Sequence, residues 1–130
     1  MTDPIDTNGL RLWAVRGATK VPSNEAGEIV AATEELLREL MSRNELESSH
    51  MVSCVFTSTD DLDAEFPAVA ARKLGLSGVP LLCAREIAVS GSLPLTIRLM
   101  LHCYADAAAP AQHVYLREAV VLRRDLEGAQ

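Results

Sequence analysis

Hydrophobic and polar positions recur with two different periods along the chain, and the changes of period mark its elements. Leu10 to Val15 alternates weakly and is apolar enough for a strand, which ends at Gly17. After Pro22, Ser23 or Asn24 is placed to cap a helix whose first turn carries Glu25 and Glu28, negative charges that suit the positive end of a helix dipole. Ile29, Val30, Thr33, Leu36, Leu37, Leu40 and Met41 then recur at helical spacing, so this helix has one face made for a core. Arg43 and Asn44 suit its C-terminus.

Met51 to Ser58 is rich in β-branched and aromatic residues and reads as a buried strand, and Thr59-Asp60-Asp61 then signals the start of a short helix. Pro67 lacks an N–H and opens a second helical turn, running to Leu74 and stopping at Gly75. Val79 to Cys83, Glu86 to Val89 and Leu95 to Tyr104 read as strands, with Ser90-Gly91-Ser92 turning between the last two. Pro110 breaks the chain before a short strand at Val114 to Leu116 and an apolar tail. One long helix, one or two short ones and about five strands make an α+β domain with a mixed sheet.

Strand parity divides the segment from Leu95 to Cys103. Leu95, Ile97, Leu99, Leu101 and Cys103 share one face, while Thr96, Arg98, Met100 and His102 share the other. The mixed face is half solvated or lines a cleft. An arginine on a strand is most often a surface residue or a member of an ion pair.

Composition narrows the classes. With 130 residues, 48% hydrophobic and 23% charged, the chain is one globular domain over 10–130 that buries roughly two thirds of its unfolded surface without staples. Residues 1–9 hold two aspartates and no apolar core of a signal peptide, and are expected to form a disordered extension. Cys54, Cys83 and Cys103 are an odd number with no Cys-x-x-Cys pair, which argues against a disulfide framework and a zinc knuckle and for a reducing cytoplasm. A net charge of −6 without a basic stripe tells against nucleic acid. No apolar run approaches the ~20 residues of a membrane helix. His102 and Cys103 are adjacent on a strand and point to opposite faces, so they cannot share a metal, and His50 and His113 have no evident ligand partner.

Against that acidic background four arginines, Arg16, Arg72, Arg98 and Arg123, stand inside segments otherwise built for burial, a pattern suited to a small dianion. The segments are Arg16-Gly17-Ala18-Thr19, Phe66-Pro67-Ala68 with Arg72, Cys83-x-x-Glu86 and Ile97-Arg98. They end in the block from His113-Val114-Tyr115-Leu116 through Ala119-Val120-Val121-Leu122-Arg123 to Asp125-Leu126. In this order and spacing they resemble the AroH class of monofunctional bacterial chorismate mutases, from about Leu12 to Leu126.

That resemblance implies the [3,3] sigmatropic rearrangement of chorismate to prephenate, with no cofactor and no metal. It also implies a homotrimeric pseudo α/β barrel with active sites between subunits. It assigns Arg98 to the ether oxygen that turns negative, Arg16 to a substrate carboxylate and Glu86 to the ring hydroxyl. Tyr115 would contact a carboxylate, Phe66, Ala68, Cys83 and Leu122 would wall the ring, and Arg72 and Arg123 would stand at the mouth. Phe66, Ala68 and Arg72 would come from one subunit and Arg16, Glu86, Arg98 and Tyr115 from its neighbour.

Val69 stands where many relatives have lysine, which removes a cation from the entrance. Without the resemblance, Glu86 reads as a surface carboxylate, Tyr115 as a core-edge aromatic and Cys83 as a buried small apolar residue. Two other classes stay open: a homologue that binds chorismate or prephenate without turnover, and a trimeric imine deaminase of similar fold, whose signatures are not visible.

Overall fold

Two long antiparallel strands, β1 (Leu10–Lys20) and β4 (Thr96–Asp106), organise the fold and pair along their whole length, from Leu10 opposite Asp106 to Lys20 opposite Thr96. This computed structural model describes residues 9–122. On the far side of β4 lies β2 (Met51–Ser58), antiparallel, and beyond it β3 (Leu81–Arg85), parallel to β2. A two-residue strand, β5 (Val114–Tyr115), runs parallel to β1 on the other edge, so the mixed sheet has the order β3-β2-β4-β1-β5.

Helix α1 (Ala26–Arg43) covers one face of this sheet. Its stripe of Ile29, Ala32, Thr33, Leu36, Leu37 and Leu40 is buried, as the helical periodicity predicts. Leu36, Leu37 and Leu40 pack with Val15 of β1, Cys54 and Phe56 of β2, Leu99, Leu101 and Cys103 of β4 and Val114 of β5. Short helix α2 (Ala68–Lys73) completes that layer and adds Ala68, Ala70 and Ala71 to the same core. Among the described residues no helix covers β2 and β4 on the opposite sheet face, and strand parity there follows the sequence: Ile97, Leu99, Leu101 and Cys103 are buried, while Arg98, Met100 and His102 are half-buried.

Several local expectations are corrected. The helix after Thr59-Asp60-Asp61 does not form; Asp61 instead accepts the Leu95 N–H on its carboxylate, at 3.0 and 3.2 Å, and takes the Thr59 hydroxyl, a use of the side chain that competes with helix nucleation. Glu86 to Val89 is not a strand. The Glu86 N–H still reaches Ser58 at 3.0 Å, but Val89 then bonds back to Ile87, and the chain leaves the sheet edge with Ile87 and Val89 largely exposed. Neither Ser23 nor Asn24 caps α1, whose N-cap is Glu25. Asn24 spans to the loop after β2, accepting from the N–H groups of Asp63 and Ala64 at 3.0 Å and donating to Asp63 Oδ1 at 2.7 Å. Finally, β1 runs past Gly17 to Lys20 because β4 is long enough to pair all of it, and the third strand begins at Leu81 rather than Val79, after Pro80, which has no N–H to give.

Candidate active site

Sheet register brings the key side chains together on the face away from α1. Arg98 lies between Ala18 of β1 and Thr57 of β2; Thr57 is paired in turn with Ala84 of β3, and Ala18 with Tyr115 of β5. Directly paired residues share a face, so Thr57, Arg98, Ala18 and Tyr115 form one transverse row. Arg16, two residues from Ala18, stands on the same face.

Glu86, one residue beyond β3, reaches back to this row. Its Oε2 accepts the Thr57 hydroxyl at 2.8 Å and lies 3.1 Å from Nε of Arg98. The Arg98 N–H is not aligned on the carboxylate, so the pair is a Coulombic contact that leaves this buried Nε without a formal hydrogen bond among the described residues. Glu86 is the more enclosed partner, with its side chain 13% exposed against 32% for Arg98. At the other end of the row the buried Tyr115 hydroxyl also lacks a hydrogen-bond partner among the described residues. Ala18, Tyr115 and Ala119 form a small apolar cluster with Leu93 and Leu122, which packs around the phenol beside β1. A face with a cation, a restrained carboxylate and an unsatisfied hydroxyl is equipped to take a polar anion.

The family model for chorismate mutase type I matches residues 12–126. The chain belongs to the type I chorismate mutases. Chorismate mutase AroH of Thermus thermophilus is 46% identical over 118 residues, 89% of this chain and 97% of the relative. Its counterpart in Bacillus subtilis is 39% identical over 119 residues, covering 90% and 94%. The solved chorismate mutase from Clostridium thermocellum superposes with a TM-score of 0.79 at 47% identity, over 84% of this chain and 98% of that one.

Within this type I chorismate mutase chain the predicted site residues fall into two groups. Arg16, Glu86, Arg98, Tyr115 and Leu122 lie on or beside the open face. Phe66 and Cys83 instead line a cleft of about 320 Å³ with Pro67 and Arg85 at the β3 edge. Cys83 pairs with Phe56 and so faces the α1 layer, half-buried rather than fully buried. Phe66 is 66% exposed, Ala68 is buried at the start of α2, and Arg72 is exposed further along it. Arg123 lies outside the described residues.

Thr57 was missed by sequence reasoning. Its signal is the parity of Met51 to Ser58, which has meaning only once β2 is known to lie next to β4. The larger surface cleft, about 630 Å³ between α1 and α2 beside Val30, Glu34, Val69 and Lys73, holds none of the predicted polar groups, so polar geometry rather than volume locates the site. Among the described residues no cluster of three His, Cys, Asp or Glu could hold a metal, and no helix is long and apolar enough to cross a membrane.

Proposed function

We propose that this protein is a cytoplasmic chorismate mutase that rearranges chorismate to prephenate at a site completed by a second subunit of a homotrimer. The observation that carries the reading is the row of Arg98, Thr57-tethered Glu86 and unsatisfied Tyr115 on an open sheet face, in a chain that belongs to the chorismate mutase family. The two-group distribution of Phe66, Ala68 and Arg72 against Arg16, Glu86, Arg98 and Tyr115 is what a site between neighbouring subunits requires. Exposed Phe66, Leu82, Ile87 and Val89 supply apolar surface for such a contact.

The reaction is intramolecular and needs no nucleophile or proton transfer. As the C–O bond breaks ahead of C–C bond formation, negative charge grows on the ether oxygen. Arg98 supplies a fixed cation there, its terminal guanidinium nitrogens, which have no partner among the described residues, turning to the substrate while Nε stays against Glu86. Removing one such donor costs about 2.7–4 kcal/mol of barrier lowering. Glu86, held by Thr57, accepts the ring hydroxyl and favours the electron-poor ring. Arg16 and Tyr115 bind the carboxylates, with Arg72 and Arg123 at the mouth. Phe66, Ala68, Cys83 and Leu122 wall the ring and favour the compact conformer in which the reacting carbons meet.

The decay of chorismate absorbance, with prephenate identified by chromatography, tests this in wild type beside Arg98→Ala. A loss of about 10²–10³ in kcat is expected. Equal activity of the two proteins removes Arg98 from its role, and wild type that binds chorismate without converting it favours a non-catalytic binding homologue.

A further inference from the structure

His113 has no place in the chemistry above, yet its ring is bonded to one of the site's own residues. The pairing of β5 with β1 is only two residues long, Val114 with Gly17 and Tyr115 with Ala18. One residue earlier, the main-chain N–H of Arg16 donates to Nδ1 of His113 at 3.0 Å. A ring nitrogen thus takes the place that a backbone carbonyl would hold if the ladder continued. We propose that His113 is a positioning residue that fixes the β1 backbone at Arg16, and with it the direction in which the Arg16 guanidinium meets a substrate carboxylate. This role rests on the chorismate-binding assignment of Arg16.

The contact requires the tautomer with its proton on Nε2. Partial burial of the ring, and then the positive charge of Arg16, hold the imidazole below the usual histidine value of 6.5, which keeps Nδ1 available near neutrality. Arg16 is the charged group that faces the ring from β1. Towards the end of α1 the neighbouring Gln112 is clasped by uncharged Asn44, which accepts its N–H at 2.7 Å and donates to its carbonyl at 2.9 Å, with Arg43 and Glu45 flanking. Protonation of His113 removes the acceptor and sets a second cation beside Arg16, so the neutral ring is the competent form and activity falls as pH drops below its pKa.

His113→Asn keeps an acceptor, Oδ1, close to the position of Nδ1 but does not titrate, whereas His113→Ala has none. The expected result is a rise in KM for chorismate of a few-fold to about tenfold in His113→Ala, as for one lost hydrogen bond, with a smaller change in kcat. His113→Asn retains most of wild-type kcat/KM and loses the acid limb assigned to the ring. In parallel, the Arg16 amide resonance is followed against pH: it moves with the His113 titration in wild type and is flat in His113→Asn. An Arg16 amide indifferent to His113 protonation, or a His113→Ala protein with wild-type KM and pH profile, overturns the proposal. A wild type without chorismate turnover would undo the assignment of Arg16 instead, and the amide titration would still decide whether His113 holds its backbone.

Discussion

Gly17 sits in the Arg16-Gly17-Ala18-Thr19 segment, and the structure gives it a packing reason. A β-carbon built at Gly17 would lie 2.8 Å from Cδ1 of Leu40 and 3.2 Å from Cδ1 of Leu36, on the face where α1 presses on β1. Both leucines are fully buried, so the methyl groups have little room to retreat. Overpacking of this kind costs about 1–3 kcal/mol. The nearest atom is a side-chain terminus rather than backbone, which places Gly17→Ala in the lower half of that range. Restricting the unfolded chain returns about 0.4–1 kcal/mol. The net expectation is a loss of about 1 kcal/mol, or roughly 3–5 °C in melting temperature for a chain of this size, read by urea and thermal unfolding at fixed protein concentration. Leu40→Ala alone should cost about 2–5 kcal/mol, but in the Gly17→Ala background about 1 kcal/mol less, because the clashing methyl is gone. A Gly17→Ala protein at least as stable as wild type, with strict additivity in the double variant, would refute the reasoning.

Three further outcomes are expected. Thr57→Val removes the hydroxyl that restrains Glu86 and lowers kcat/KM for chorismate about tenfold, while Thr57→Ser restores it, in steady-state assays. Tyr115→Phe leaves stability in denaturant unchanged or slightly raised, since the hydroxyl has no partner among the described residues, yet raises KM about tenfold. Burial, and secondarily the nearby Cys83, push the Cys54 thiol up to about 12, and burial pushes Cys103 up to about 11. Iodoacetamide at pH 8 should therefore label half-buried Cys83 first by peptide mapping, more slowly with chorismate present, and comparable labelling of Cys54 would contradict the packing.

Elements whose signal is local were legible in the residues. The stripe from Ile29 to Leu40 dictated α1, and alternation from Ile97 to Cys103 placed Arg98 on the open face, because periodicity reports which side of an element is buried. Glu86 to Val89 misled for the same reason: it has strand composition, but among the described residues Ile87 and Val89 stay largely exposed. Asn24 and Asp61 were read as local helix signals, and long-range partners took them instead. The proximity of Thr57, Glu86 and Arg98 was beyond pattern reading, since it depends on β2 lying between β3 and β4. The separation of Phe66 from Arg98 required the sheet order as well.

Subunit complementation tests the central claim most directly. Arg98→Ala and Arg72→Ala chains, each first assayed alone for its reduced activity, are mixed under conditions that exchange subunits, and chorismate turnover is measured. If each site takes Arg98 from one subunit and Arg72 from the next around a three-fold ring, random mixing rebuilds about a quarter of the sites and activity returns to about that fraction of wild type. Activity no higher than that of the two parents, with exchange verified, would contradict a site shared between neighbours.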